Sequence, residues 1–285
     1  MENNQYRVKN LIVKIVLYII CILFLLMCVG PLYILFINAT RTSQSIASSV
    51  ALLPGNNLMK NFQALLEYCE VHDLDIIRSF INSCVISLLS TGLCVYFSAL
   101  TAYAFYAYQF KFKKLLFSIV MLIIMIPGQL GMIGFYKLVV QLNILDTIIP
   151  LTIPAIASAS TVFFVTQYLK ANFSREYIEA ARMDGANEFY IFNSVCIPII
   201  KPSLLTMGIF GIVTSWNNFM GPLLYLQSNE NYTLPLIVYQ LSNATELDFG
   251  AQYFAIAFTL LPLMIIYFFF SKQIINSVAA GGIKE

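Results

Sequence analysis

Six stretches without a single Asp, Glu, Lys or Arg dominate the chain: Ile15–Thr40, Ser79–Phe110, Leu115–Tyr136, Thr147–Leu169, Pro202–Asn229 and Phe249–Ser271. A helix needs about 20 mostly apolar residues to cross ~30 Å of hydrocarbon, and each stretch is long enough. An ionised side chain at the bilayer centre costs roughly 2.5–3.5 kcal/mol on insertion scales, so charges mark where spans end. The chain as a whole agrees, with 59% hydrophobic and 11% charged residues and a mean hydropathy of +0.79. Soluble domains carry roughly 25% charge, and this deficit leaves too little polar surface to dissolve a globule. The expectation is an all-α integral membrane protein of about six transmembrane helices. The first stretch exceeds the ~7–15 residues of a signal-peptide core and shows no clear cleavage site, so it is read as an uncleaved first helix.

The sixteen Lys and Arg residues then orient the spans. On one side lie twelve: Arg7, Lys9, Lys14, Lys111, Lys113, Lys114, Lys170, Arg175, Arg182, Lys201, Lys272 and Lys284. Only four lie on the other, namely Arg41, Lys60, Arg78 and Lys137. Excess positive charge marks the cytoplasmic side. Both termini and the loop 170–201 are therefore expected in the cytoplasm, with the loops near Asn38–Arg78 and Gln227–Asp248 outside. Prolines interrupt several spans, notably at Pro127-Gly128-Gln129 and Gly221-Pro222. Freed backbone groups need partners in lipid, so these breaks imply packing in a bundle, as plain kinks or as hinges.

Other chemistry is sparse. The six cysteines form no CxxC pair and lie mostly in apolar runs, and the one histidine, His72, sits in a polar loop. Neither pattern suggests a metal site or a disulfide framework. No G-x-x-x-x-G-K-[S/T] occurs, so the chain has no phosphate-cradling loop of that type. A net charge of +2, spread between apolar spans, gives no basis for nucleic-acid binding. No cofactor or catalytic residue is expected.

The segment 170–201 is more patterned than a connector. Ser174 is placed to cap a short helix from Arg175, Glu176 suits the first turn, and Gly185 suits a left-handed close. Asn187 is placed to cap a second short helix carrying Phe189, Tyr190 and Phe192, with Pro198 marking the return to the membrane. Tyr177, Ala180 and Ala181 fall on one face at helical spacing. That face fits docking in a partner's groove, or equally an amphipathic helix lying on the membrane.

Glu179-Ala180-Ala181, then three residues, Gly185, nine residues and Val195-Cys196-Ile197-Pro198 resembles the EAA motif of ABC importer permeases. Two mild departures occur, Val195 for Ile and Ile197 for Leu. Trp216-Asn217-Asn218-Phe219 with Gly221-Pro222-Leu223 resembles the fifth-helix segment of carbohydrate importer permeases. Similar likenesses are found at Ile126–Gln129, at Leu142–Thr147 and in the Gly-containing tail Val278–Lys284, where Glu285 departs from the usual small residue. The resemblance runs from about Ile76 to the C-terminus and is to the maltose-permease-like subunit of the carbohydrate uptake family.

This resemblance implies a type I ABC importer permease fold with a cytoplasmic coupling helix. It divides the chain into 1–40 (cytoplasmic segment and first helix), 41–75 (extracytoplasmic loop), 76–272 (five-helix transmembrane domain with the coupling loop) and 273–285 (cytoplasmic tail). It implies a second homologous permease subunit, two ABC ATPase subunits, an extracytoplasmic sugar-binding protein, a carbohydrate substrate and the lipid of a bacterial cytoplasmic membrane. The coupling residues would be Tyr177, Glu179, Ala180, Ala181, Asp184 and Gly185. Path candidates are the intramembrane polar residues Asn82, Gln129, Trp216, Asn217 and Asn218, with Ser83, Ser87 and Ser90. Read from the residues alone, interhelical packing is the favoured role for each of them. The outer loop with Glu230, Glu246 and Asp248 would meet the binding protein or simply be solvated. Rival classes are an amino-acid or peptide ABC permease, a secondary transporter, disfavoured by the lack of carboxylates in the spans, and a membrane-embedded enzyme, which lacks a nucleophile–base pair.

Overall fold

The computed structural model describes residues 2–156, 158–244 and 247–282, with side chains for 10–156, 158–244 and 247–271. Several charges used above (Arg7, Lys9, Glu246, Lys272, Lys284, Glu285) therefore have side chains outside the described residues, and Ile283 and Lys284 of the tail lie outside them altogether. Among the described residues there is no strand. The helices are α1 (Glu2–Asn38), α2 (Ser43–Ser48), α3 (Leu58–Val71), α4 (Ile76–Ala107), α5 (Lys113–Met125), α6 (Met132–Gln141), α7 (Ile149–Thr152), α8 (Ala159–Asn172), α9 (Glu176–Met183), α10 (Glu188–Tyr190), α11 (Ile197–Trp216), α12 (Met220–Tyr225), α13 (Leu234–Ser242) and α14 (Phe249–Gly282).

Among the described residues, five stretches are long and apolar enough to span a bilayer: Asn10–Asn38, Ile76–Ala107, Ile149–Asn172, Glu188–Trp216 and Phe249–Ser271. The third expected span, Leu115–Tyr136, is bent rather than straight. Helix α5 meets the segment Gly128–Gln141 at 91°. Pro127 forces the bend: it has no N–H to donate, and it drives the preceding Ile126 out of the helical region to φ −85°, ψ 123°.

A second difference concerns the loop after α8. The residues from Glu188 do not form a separate surface helix. They open one helical run that continues to Trp216. Asn187 does cap it, its side chain accepting from the Tyr190 N–H at 2.8 Å. Pro198 does not end it, because the π-helical turn Ile191–Cys196 lies just upstream of α11. Widened turns of this kind accommodate a ring that cannot donate to the preceding turn.

The chain groups into two compact units, Met1–His72 with Gln240–Leu261 and Asp73–Tyr239 with the residues from Pro262 onward. In the first, Arg41 is buried and satisfied by neutral acceptors: Asn38 Oδ1 at 3.1 Å, Ser49 O at 2.9 Å and Ser45 O at 2.6 Å. Asn61 donates to Ala39 O and Arg41 O at 2.8 and 3.0 Å, pinning α3 to the end of α1. Gly250 permits a close crossing there, since a Cβ would stand 2.5 Å from Arg41 O.

In the second unit α4 is the central helix, packed against α8 and α11. Up to Ala102 its buried face is small apart from Ile86, reading Ser79, Ser83, Ser87, Ser90, Thr91, Ser98, Ala99 and Ala102, and it ends in Tyr103, Phe105 and Tyr106. Small residues allow backbones to approach, which is how helices associate where lipid removes the hydrophobic drive. The hydroxyls mostly find local partners: Ser87 donates to Ser83 O at 2.6 Å, and Ser83 Oγ accepts from Leu234 N at 2.8 Å.

Candidate functional site

Helix α9 is a surface element with well-defined ends. Its start is capped in part as expected, with Ser174 Oγ accepting from Glu176 N at 3.2 Å. Glu176 and Glu179 lie in its first turn and Arg182 in its last, matching the helix dipole at both ends. Gly185 closes it at φ +79°, where an L side chain is strained. Ala186 N donates to Ala181 O and Gly185 N to Arg182 O, both at 3.0 Å. This paired return of N–H groups to the last carbonyls is a Schellman close.

Beneath α9 is a dry seat. Ile178 points inward at 2% exposure and joins a core of Ala99, Ala102, Tyr103, Tyr106, Val165, Leu169, Phe173, Ile191, Phe192, Cys196 and Ile200. Phe192 meets Tyr96 and Tyr103 with ring centroids 5.7 and 5.5 Å apart. Polar ties surround this core. The Tyr106 hydroxyl donates to Phe173 O in a very short bond. Arg175 donates to Tyr106 O at 3.3 Å and lies over the Tyr106 ring. Arg182 pairs with Glu188 at 2.7 Å, and Tyr103 donates to the second Glu188 oxygen at 3.1 Å. Helix α9 is thus packed and hydrogen-bonded onto residues of α4, α8 and the α10–α11 run.

The outward surface carries Glu176, Tyr177, Glu179, Ala180, Met183 and Asp184, with Met183 88% exposed. Ala181 differs from the sequence expectation. It is half-buried and packs on the seat, so it does not share the free face of Tyr177 and Ala180. The Glu179 carboxylate has no ion pair among the described residues.

The path candidates separate widely. Asn82 ties α4 to the loop after α12, donating to Glu230 O at 2.8 Å and Tyr232 O at 3.0 Å. Trp216 is 3% exposed and meets Phe80 edge-on at 5.6 Å. Asn217 donates back to Val213 O at 3.0 Å. Gln129 is exposed in the bend between α5 and α6. Only Asn218, joined by Ser90, borders a cavity of about 620 Å³ enclosed by α4, residues 151–161 and α11.

Sequence reading missed the seat residues Tyr103, Tyr106, Phe173, Arg175 and Glu188, which lie far apart in the chain. It also missed Asp146. That carboxylate accepts from Gln227 N at 2.8 Å, Ser228 N at 3.1 Å and the Ser228 hydroxyl, while Asn231 donates to its carbonyl at 2.9 Å. Partial desolvation pushes its pKa up, but these donors overcome that and hold it down at about 2. No sequence signal reported the pairing, and the positive φ of Asp146, 59°, is visible only in the fold.

Comparison with known proteins places these features. The arabinooligosaccharides transport system permease protein AraQ of Bacillus subtilis is 36% identical over 205 residues, covering 72% of this chain and 73% of that one. The lactose transport system permease protein LacG of Rhizobium radiobacter is 29% identical over 271 residues, covering 95% and 96%. Among solved structures, a chain of a bacterial ABC transporter involved in the import of the acidic polysaccharide alginate superposes with a TM-score of 0.78 over 92% of this chain and 96% of that one. At 22% identity that match speaks for the fold, which is that of an ABC importer permease. The profile of the binding-protein-dependent transport system inner membrane component family matches residues 94–279, a span that includes α9, its seat and the cavity lining other than Ser90 and Thr91. The chain belongs to that family.

Proposed function

We propose that the chain is one of two permease subunits in an ATP-driven, binding-protein-dependent sugar importer, and that α9 is where a partner ATPase drives it. One observation carries the coupling reading: α9 is closed at both ends, exposed on one face, and locked by its other face onto the ends of three spans. The sugar reading is supported by the relatives named for arabinooligosaccharide and lactose transport.

The exposed face brings Glu176, Glu179 and Asp184 beside Tyr177, Ala180 and Met183. A groove on the ATPase that accepts it needs apolar walls for Tyr177 and Met183 and basic or N–H donor groups for the carboxylates. Gly185 makes the turn, and Ala181 keeps α9 close to its seat. Nucleotide-driven closure of two ATPase subunits would move two such helices together and reorient the spans as rigid bodies. In this arrangement both termini and 170–201 are cytoplasmic, 41–75 is external, and an external sugar-binding protein delivers the solute near the loop after α12. The second permease completes the path.

The test joins binding and transport. In the assembled complex, Ala180→Cys should cross-link to the ATPase subunit, and Gly185→Asp should abolish ATP-driven uptake while the chain still reaches the membrane. Labelling of Ala180→Cys only from outside the cell, or full uptake by Gly185→Asp, would refute the coupling role.

A further inference from the structure

Three cations from separate parts of the chain meet at the end of α4, all within the second unit. Lys113, the first residue of α5, donates to Tyr108 O at 2.7 Å. Lys170, in the last turn of α8, lies 5.1 Å over the ring of Phe117. Phe117 is one turn beyond Lys113 on the same face of α5, so it draws Lys170 towards Lys113. Arg175, just before α9, donates to Tyr106 O at 3.3 Å and lies 5.7 Å over that ring. The charges of Arg175 and Lys170 both act on Lys113.

Within the chain this convergence is unfavourable. Like charges repel, and Lys113 is also half-buried. Two ion pairs form among the described residues, Arg78–Glu230 and Arg182–Glu188, and neither includes any of the three cations. Nearby Arg182 thus has a carboxylate of its own, whereas this junction has none. The three side chains are nonetheless anchored by carbonyl and ring contacts rather than spread through solvent. Lys170 and Arg175 remain exposed. Alongside them α5 has no buried residue, and Leu115, Leu116, Ile119 and Leu122 are exposed along it.

We propose that this junction binds the headgroup of an anionic phospholipid, with Lys113, Lys170 and Arg175 around the phosphate and the acyl chains along α5. The phosphodiester supplies the negative charge that the chain lacks here. Arg175 keeps N–H donors beyond its bond to Tyr106 O, and these suit phosphate oxygens, while the two Lys heads act as point charges. A soluble anion would use the same charges but not the apolar flank, so the flank assigns the site to lipid. A zwitterionic headgroup brings its own cation and gains less. The bound lipid would tie α5 and α8 to the entry of α9 from outside the protein. The proposal rests on the reading above that 170–201 faces the cytoplasm, and it adds a ligand to that surface.

The experiment uses the complete transporter in vesicles of equal parts phosphatidylcholine and phosphatidylglycerol. A photoactivatable phosphatidylglycerol is cross-linked, and the labelled peptides are mapped by mass spectrometry. Peptides holding Lys113–Met125 or the end of α8 should carry the label. Lys170→Gln should lower it there by about 5-fold, the effect of one cation near an anionic leaflet, and Lys170→Arg should restore it. Lys113→Gln should act in the same direction; should it fail to insert, the exposed Lys170 decides alone. Photoactivatable phosphatidylcholine should label these peptides weakly, and excess inorganic phosphate should not displace the label. Lys201→Gln, an exposed cation elsewhere, should leave it unchanged. Unchanged labelling in Lys170→Gln, equal labelling by phosphatidylcholine, displacement by phosphate or an equal fall in Lys201→Gln overturns the proposal. So does loss of the ATPase from Lys170→Gln with labelling intact, which would assign the cations to that partner. The labelling needs neither sugar nor ATP, so it can fail while the transport reading stands. Failure of that reading has its own signature, ATP-driven uptake that persists when the chain is deleted.

Discussion

The seat of α9 and the cavity beside α4 are built from the same helices to opposite designs. The seat is filled by aromatic and branched side chains, and Ile191, Phe192 and Cys196 within it are fully enclosed. The cavity is lined by short hydroxyl side chains together with Cys94, Leu151, Met207, Phe210 and Asn218, and the buried Thr91 hydroxyl has no partner among the described residues. A close-packed interior transmits displacement because it deforms little. A lining of short hydroxyls can exchange partners at little cost, since each bond contributes only about 0.5–1.5 kcal/mol net. One region is stiff and the other can rearrange its hydrogen bonds.

That contrast can be broken most directly at Phe192. Phe192→Ala empties the centre of the seat and should destabilise the chain by about 3–5 kcal/mol, seen as a large fall in melting temperature and in the amount of inserted protein. Gly185→Val comes next. A branched side chain at φ +79° should cost about 1–2 kcal/mol, measured by thermal unfolding, with loss of ATPase association as a second readout. Glu188→Gln weakens the Arg182 pair, whose side chains are 40% and 41% exposed, so solvent screening limits the effect to about 1 kcal/mol or less. Ser215→Ala in the cavity should change melting by less still, under about 1 kcal/mol. If Ser215→Ala matched Phe192→Ala, the two regions would not differ in rigidity and the comparison would fail.

A pH-dependent test is available at Asp146. Its pKa is held at about 2, below the ordinary carboxylate value. A depressed pKa stabilises the folded form above the unfolded pKa of about 4 and loses that contribution as pH falls towards 2. The difference in melting temperature between wild type and Asp146→Asn should therefore be flat from pH 8 to pH 5 and shrink below pH 4. A difference that instead grows on acidification would show that the Gln227 and Ser228 donors do not hold the carboxylate.

How much was legible varies with the range of the physics involved. Spans were legible because insertion depends on the summed hydrophobicity of neighbours in sequence. The α9 helix, its Ser174 contact and the Gly185 close were legible because capping acts within a few residues. The bend at Pro127 was visible as a break, but its 91° angle was not. The continuity of Glu188–Trp216 was hidden because Pro198 reads locally as a stop, and only the π turn upstream makes the helix tolerate it. Ala181 was put on the free face by spacing alone, whereas packing against the seat turned it inward.

The sequence by itself determined membrane residence and the presence of several apolar spans and of a surface helix closed at Gly185, because hydropathy and capping are local properties. Span limits are not, and the expected fifth span Pro202–Asn229 lies instead at Glu188–Trp216. Only the tertiary structure decided which polar residues share a cavity, which aromatics lock α9 to α4, α8 and α11, and which carboxylates find donors. Those outcomes join residues as far apart as Asp146 and Ser228 or Ser90 and Ser215. Such pairings depend on how helices cross, and crossing geometry follows from packing across the whole bundle.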